Sequence, residues 1–172
     1  MRHEGPFEIF YDNGNLRQLE YYKDGKIDGV VQIYYKTGQL SKTFSYVNGI
    51  KQGKAVTYYE NGIIKSLLNY ANDKLNGEAS YYYKDGKLSQ KLNYVSGVRQ
   101  GSSTEYFKTG ELKKTQKFFK DRINGQVLTY YKTGEVKGDW NYKNNFPDGE
   151  SKFYYPSGEI LCIREYKNGK SH

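Results

Sequence analysis

Two residue types that often carry chemistry are scarce in this sequence. Its 172 residues include one cysteine, Cys162, and two histidines, His3 and His172, which stand near the two ends. A lone cysteine excludes an intrachain disulfide framework and a thiolate metal site. Because both histidines lie outside the regular repeats described below, neither is placed to serve in a catalytic triad or a metal cluster. We therefore expect a non-enzymatic protein with no catalytic residues, no cofactor and no metal.

Long apolar runs are also missing. No stretch approaches the roughly 20 apolar residues of a membrane-spanning helix, and Met1-Arg2-His3-Glu4 lacks the apolar core of a secretory signal. The single cysteine mildly favours a reducing compartment. Together these features predict a cytoplasmic location; a secreted or envelope-associated location is the alternative if a leader segment precedes residue 1.

Tyrosine and positive charge are abundant instead. The sequence contains 20 tyrosines and is 17% aromatic. A tyrosine ring can pack on a sheet while its hydroxyl reaches water, which suits a thin structure with few fully buried side chains. The formal net charge of +8 favours acidic partners such as phosphate-bearing lipids, nucleic acid or an acidic protein surface. The alternative is that the lysines only keep a tyrosine-rich sheet soluble.

A repeat of 24 residues runs through the whole sequence. It is marked by one glycine at the start of each repeat and a second glycine nine residues later. The first glycines are Gly5, Gly29, Gly53, Gly77, Gly101, Gly125 and Gly149, and the second are Gly14, Gly38, Gly62, Gly86, Gly110, Gly134 and Gly158. This pattern indicates a single repeat domain, residues 1–172, made of seven units that bury local cores between neighbours.

Each repeat predicts two strands joined by a glycine turn. Paired aromatics such as Tyr34-Tyr35 end the first strand, and an aliphatic residue and a closing aromatic, such as Leu40 and Tyr46, mark the second. Alternation places Val31, Ile33 and Tyr35 on one side of the first strand, and Leu40, Phe44 and Tyr46 on one face of the second. The sequence therefore predicts an all-β fold, an elongated antiparallel meander of about fourteen short strands.

A later turn follows each closing aromatic. Its positions read Gly25, Gly49, Asp73, Gly97, Asp121, Asn145 and Gly169. Asp and Asn are the non-glycine residues that best tolerate a left-handed backbone. We therefore expect positive φ at this position in every repeat.

The residue after the paired aromatics is lysine in four repeats. If strand geometry continues to that point, each lysine shares the more polar face with the first tyrosine of its pair, and the two form a ladder with a step of about 10 Å. The candidate binding residues are Tyr34, Lys36, Tyr82, Lys84, Tyr106, Lys108, Tyr130 and Lys132. Exposed aromatics beside cations suit a protein anchor site, a phospholipid surface or stacked nucleic-acid bases. The alternative is that the tyrosines only stabilise the sheet.

The repeats resemble a known family. Residues 29–48, GVVQIYYKTGQLSKTFSYVN, and residues 77–96, GEASYYYKDGKLSQKLNYVS, are similar to the MORN-repeat variant of bacterial proteins, a group that includes YwqK-family proteins labelled as antitoxins. The resemblance covers essentially the whole chain in seven copies. It implies a β-hairpin array that binds a partner and has no chemistry of its own.

Three functions follow as expectations. The first is a protein-interaction scaffold, in its narrower form an antitoxin-like neutralising partner of a toxin. The second is peripheral binding of acidic phospholipid headgroups through the lysines of the ladder, and the third is nucleic-acid binding. Because a meander leaves unpaired strand edges, end-to-end self-association is a further expectation.

Overall fold

The computed structural model describes residues 3–172, and within that range the chain forms β-strands and turns and no helix. These residues divide into two compact units, residues 3–86 and 87–172. Unit 1 contains β1 (Gly5–Phe10), β2 (Leu16–Lys23), β3 (Lys26–Ile27), β4 (Gly29–Tyr34), β5 (Leu40–Val47), β6 (Ile50–Tyr58), β7 (Ile64–Ala71), β8 (Lys74–Leu75) and β9 (Gly77–Tyr82). Unit 2 contains β10 (Leu88–Val95), β11 (Val98–Arg99), β12 (Gly101–Tyr106), β13 (Leu112–Phe119), β14 (Arg122–Ile123), β15 (Gly125–Tyr130), β16 (Val136–Lys143), β17 (Phe146–Pro147), β18 (Gly149–Tyr154), β19 (Ile160–Lys167) and β20 (Lys170–Ser171).

Antiparallel hairpins are the building block of both units, which confirms the predicted all-β class. In the hairpin of β4 and β5, Val31 lies opposite Phe44, so these two side chains share a face. The register shifts after Ile33, and Leu40 lies opposite Tyr34. The shift is a β-bulge, which interrupts the simple alternation that the sequence predicted for Leu40.

A glycine turn produces this bulge. The N–H of Gly38 donates to the carbonyl oxygen of Tyr35 at 2.9 Å, and the N–H of Tyr35 donates to the carbonyl oxygen of Gln39 at 2.8 Å. Gly38 has a φ of 91°, which residues with a Cβ rarely adopt. Tyr35 therefore begins the turn and is not part of β4.

The second turn of each repeat is a two-residue hairpin. Asn48 and Gly49 have φ angles of 51° and 82°, the pair of positive values that a type I′ turn requires. The prediction of positive φ at the non-glycine positions is confirmed: Asp73, Asp121 and Asn145 have φ angles of 64°, 65° and 73°.

Two-residue strands account for the difference from the predicted strand number. The described chain has twenty strands, and β3, β8, β11, β14, β17 and β20 are each two residues long. Each pairs with the end of the preceding eight-residue strand across a type I′ turn, as Val98 does with Val95. The sequence pattern missed them because two residues are too few to show periodicity.

A type I′ turn is hydrogen-bonded to the strand that follows the same turn in the preceding repeat. The N–H of Gly49 donates to the carbonyl oxygen of Ile27 at 2.7 Å. Where Asp73 replaces glycine, its N–H donates to the carbonyl oxygen of Lys51 at 3.1 Å, and its carboxylate accepts the N–H of Lys51 at 2.8 Å. The same two bonds join Asp121 to Arg99 and Asn145 to Ile123. Asp and Asn therefore add a side-chain bond that glycine cannot make.

The position two residues after the first glycine of the repeat is almost fully buried in six of the seven repeats, whereas in the first repeat this position is Phe7, which is 40% exposed. In unit 1 the buried residues are Val31, Ala55 and Ala79, and in unit 2 they are Ser103, Val127 and Ser151, all at most 4% exposed. A larger side chain lies opposite, for example Trp140 opposite Val127. Burial is confined to this row and a few neighbours, as the tyrosine-rich composition predicted.

A lysine packs among aromatic rings on this face of unit 1. The Nζ atom of Lys51 lies 4.2 Å from the ring centroid of Phe44 and 4.9 Å from that of Tyr70. Attraction between an ammonium group and a ring face stabilises this arrangement. Positive charge can therefore serve packing here.

Candidate functional site

In four repeats, the tyrosine that ends the aromatic pair joins its repeat to the next one through its hydroxyl. The hydroxyl of Tyr35 donates to the carbonyl oxygen of Tyr58 at 2.7 Å, and that of Tyr59 donates to the carbonyl oxygen of Tyr82 at 2.8 Å. Tyr11 and Tyr131 make the same bond to Tyr34 and Tyr154. Phe107 has no hydroxyl to donate. These hydroxyl groups serve the fold, so much of the tyrosine repeat is explained without a partner.

The lysines of the predicted ladder lie in turns. The expectation that strand geometry continues to them is wrong: β4 ends at Tyr34 and Lys36 lies within the following turn. Tyr34, Tyr82, Tyr106 and Tyr130 are the half-buried last residues of their strands, whereas Lys36, Lys84, Lys108 and Lys132 are exposed. The ladder as a binding site stays a prediction.

Acidic groups accompany the ladder lysines. In unit 1, Glu60 occupies the equivalent turn position between Lys36 and Lys84, and it lines a shallow cleft together with Lys84. In unit 2, a hydrogen bond from the Thr109 hydroxyl lowers the pKa of the Glu111 carboxyl, with smaller contributions from a backbone N–H and nearby lysines. Because its pKa is lowered, the Glu111 carboxyl is ionised at neutral pH and offsets part of the positive charge of the ladder lysines.

The other end of the hairpins in unit 2 has a different character. We define the hairpin-end surface of unit 2 as Val95, Val98, Phe119 and Phe146 together with Lys120, Arg122 and Lys143. Val95, Phe119 and Phe146 are 50%, 54% and 57% exposed. The strand pairing puts an apolar residue opposite a cation at two successive hairpins: Phe119 faces Arg122, and Phe146 faces Lys143.

Positive charge at this surface is not neutralised by internal ion pairs. Within residues 3–172, no salt bridge involves Lys120, Arg122 or Lys143. The nearby carboxylate of Asp121 is engaged elsewhere, since it accepts the backbone N–H and the Nε–H of Arg99 at 2.9 and 3.0 Å. These bonds lower the pKa of Asp121. The surface therefore combines exposed apolar side chains with free cations.

A cleft of about 610 Å³ lies within this surface. Its lining residues are Val95, Val98, Gln100, Phe119, Lys120 and Asp121. The Nζ atom of Lys120 lies 5.5 Å from the ring centroid of Phe119. Sequence analysis missed this set because its members differ from repeat to repeat, although the Asn48-Gly49 dipeptide is a signal for the type I′ hairpins that carry it.

The remaining candidates for chemistry are isolated. In the part of the chain that the structure describes, no cluster of three or more His, Cys, Asp or Glu side chains could hold a metal ion. His3 stacks edge-on against Phe7 and Tyr22 at 5.2 and 5.0 Å, and Cys162 is a half-buried free thiol. Residues 3–172 also contain no helix long and apolar enough to cross a bilayer. Absence of enzymatic activity stays a prediction.

Comparison with known families agrees with the repeat geometry. Six segments match the MORN repeat variant family: residues 4–24, 27–48, 51–72, 75–96, 123–144 and 147–168. Comparison with curated proteins found no match. The matched segments cover well over half of the chain and follow the 24-residue period of the hairpins. The chain therefore belongs to the MORN repeat variant family.

Proposed function

We propose that this chain is a non-enzymatic protein-interaction scaffold. The observation that carries the proposal is the hairpin-end surface of unit 2, where Phe119 and Phe146 are more than half exposed beside unpaired cations. Aromatic side chains and arginine are the residues that most often anchor protein interfaces. Membership of the MORN family supports a role in protein interaction or membrane binding.

A narrower form of this proposal is an antitoxin-like role. It follows from the resemblance to YwqK-family proteins and would mean that the partner is a toxin whose activity the chain inhibits. A stoichiometric complex that abolishes the activity of the bound protein would support this form. A complex that leaves the partner active would restrict the function to scaffolding.

The second candidate function is peripheral binding of acidic phospholipids. It is favoured by Lys120, Arg122 and Lys143, which place positive charge beside the exposed rings of Phe119 and Phe146. Each cation near an anionic bilayer contributes about 1 kcal/mol. Cosedimentation with phosphatidylcholine vesicles, with and without phosphatidylserine, tests this function. Nucleic-acid binding, the third candidate, would show the steepest decrease with salt.

A pull-down from extract of the source cells tests the scaffold function. It compares the native chain with two variants at low and moderate salt. The ladder variant carries Lys→Ala at Lys36, Lys84, Lys108 and Lys132, and the hairpin-end variant carries Phe119→Ala and Phe146→Ala. We expect a discrete protein that the native chain and the ladder variant retain at moderate salt and the hairpin-end variant loses. Loss of all bound material with salt would contradict an apolar protein interface.

A further inference from the structure

We propose that the cleft between the hairpin ends of β10–β11 and β13–β14 binds an acidic, apolar peptide segment of a partner protein. This inference rests on the scaffold function proposed above and adds the surface and the chemistry of the partner. Charge complementarity, the concave shape of the site and an internal comparison between the two units support it.

The cleft offers apolar contact area. Val95 and Phe119, which line it, are half exposed, and Val98 lies opposite Val95 in the strand pairing. A volume of about 610 Å³ lies within the usual range of pockets that bind small ligands. A large apolar side chain of a partner would therefore remove both its own surface and these side chains from water.

The rim of the cleft is cationic. The ammonium group of Lys120 lies over the Phe119 ring, and Arg122 lies opposite Phe119 in the hairpin. The one carboxylate that lines the cleft, Asp121, is bound to Arg99. A partner segment with carboxylates flanking an apolar residue would meet the positive charge of Lys120 and Arg122 next to its anchor.

A peptide fits this geometry better than a bilayer does. Interfacial membrane binding depends on apolar side chains that project into the lipid, whereas Val95 and Phe119 line a shallow cleft between two hairpin ends, which leaves room for a side chain of the partner. The cleft is also preformed, since the side-chain oxygen of Gln100 accepts the N–H of Lys120 at 3.0 Å and joins the two hairpin ends. Preorganisation lowers the entropic cost of binding a peptide.

Unit 1 provides a matched comparison. The equivalent hairpin ends form a cleft of about 290 Å³ lined by Val47, Asn48, Ile50, Gln52 and Asn72. Ala71 and Asn72 stand there in place of Phe119 and Lys120, so this cleft is smaller and lacks the cation of Lys120, while Lys74 takes the place of Arg122. Lys120 and Asn72 have nearly the same backbone, with φ angles of 49° and 51°. Phe119→Ala and Lys120→Asn therefore introduce residues that the chain already carries at the same place in another repeat, and both variants should fold.

The experiment uses the full chain and two labelled synthetic peptides. One peptide alternates Glu and Asp with Phe and Leu, and the other replaces every carboxylate by its amide. Fluorescence anisotropy measures affinity, and amide NMR shifts locate the contact. We expect the acidic peptide to bind more tightly and to shift residues 95–100 and 119–122. Phe119→Ala should weaken binding about tenfold or more, and Lys120→Asn about threefold at low salt, less at about 0.5 M salt. Asn72→Lys is the matched control and should change nothing.

Three results would overturn this inference. These are unchanged affinity in Phe119→Ala, shifts confined to other residues, and recruitment to phosphatidylserine vesicles through Phe119 and Lys120 without peptide binding. The scaffold function is judged separately by the pull-down. A partner that is retained there while the acidic peptide fails to bind would refute the cleft and leave the scaffold function in place.

Discussion

Removing one tyrosine hydroxyl tests how neighbouring repeats are held together. In Tyr35→Phe, the carbonyl oxygen of Tyr58 loses a hydrogen bond of 2.7 Å, while the ring and its packing remain. The bond is only partly buried, so water can replace the hydroxyl in part. We expect a loss of about 1 kcal/mol, the net value of a typical hydrogen bond in a protein. Urea unfolding monitored by circular dichroism measures this change in the free energy of unfolding.

The chain contains a natural control for this change. Phe107 stands at the equivalent position in unit 2 and has no hydroxyl to offer the carbonyl oxygen of Tyr130. Phe107→Tyr should therefore stabilise the protein by up to about 1 kcal/mol. If Tyr35→Phe leaves the free energy of unfolding unchanged and Phe107→Tyr lowers it, the hydroxyl does not hold the repeats together and the reasoning is refuted.

Three further predictions concern single side chains. Asn145→Ala should lower the free energy of unfolding by about 2 kcal/mol in urea, because alanine is strained at a φ of 73° and the hydrogen bond from the Ile123 N–H is lost. Asn145→Gly loses only the hydrogen bond and should cost about half as much, so equal losses in the two variants would contradict the contribution of backbone strain. Lys51→Met should lower the free energy of unfolding by about 0.5–1 kcal/mol in the same assay, because the attraction between the ammonium group and the Phe44 ring is lost. An unchanged urea midpoint would show that this attraction does not stabilise the protein. Burial raises the pKa of the Tyr142 hydroxyl, so the folded protein holds this proton more tightly than the unfolded chain does. The resulting stabilisation is complete below the unfolded pKa of about 10 and is lost as pH rises through the folded value. Tyr142→Phe should therefore reduce the fall in stability above about pH 10, and an unaltered pH profile would contradict this prediction.

The repeat made most of the fold predictable. Glycines with a fixed step located the turns, and Asp73 showed that its position requires a left-handed backbone even without glycine. The two-residue strands were missed because only the turn, not the flanking residues, carries a local signal. The bulge opposite Tyr34 was missed because alternation assumes an uninterrupted ladder of pairs.

The candidate surface was much less predictable. The lysines of the ladder stand out because they recur, but they lie in turns and share those turns with carboxylates such as Glu111. The hairpin-end surface of unit 2 depends on Phe119 and Phe146. Phe119 precedes its type I′ turn and pairs with Arg122, whereas Phe146 follows the turn of the next repeat and pairs with Lys143. Their position at one end of the hairpins follows from the type I′ turns and the register, which the residue pattern did not specify.

Hydrogen–deuterium exchange on the complex tests the central claim most directly. The full chain is compared alone and bound to the protein recovered from extract at moderate salt. If the chain is a scaffold that binds through its hairpin ends, the amides of residues 95–98 and 119–122 should gain protection on binding. Protection confined to the turns at residues 36–39 and 84–87, or recovery of lipid or nucleic acid alone, would contradict the account.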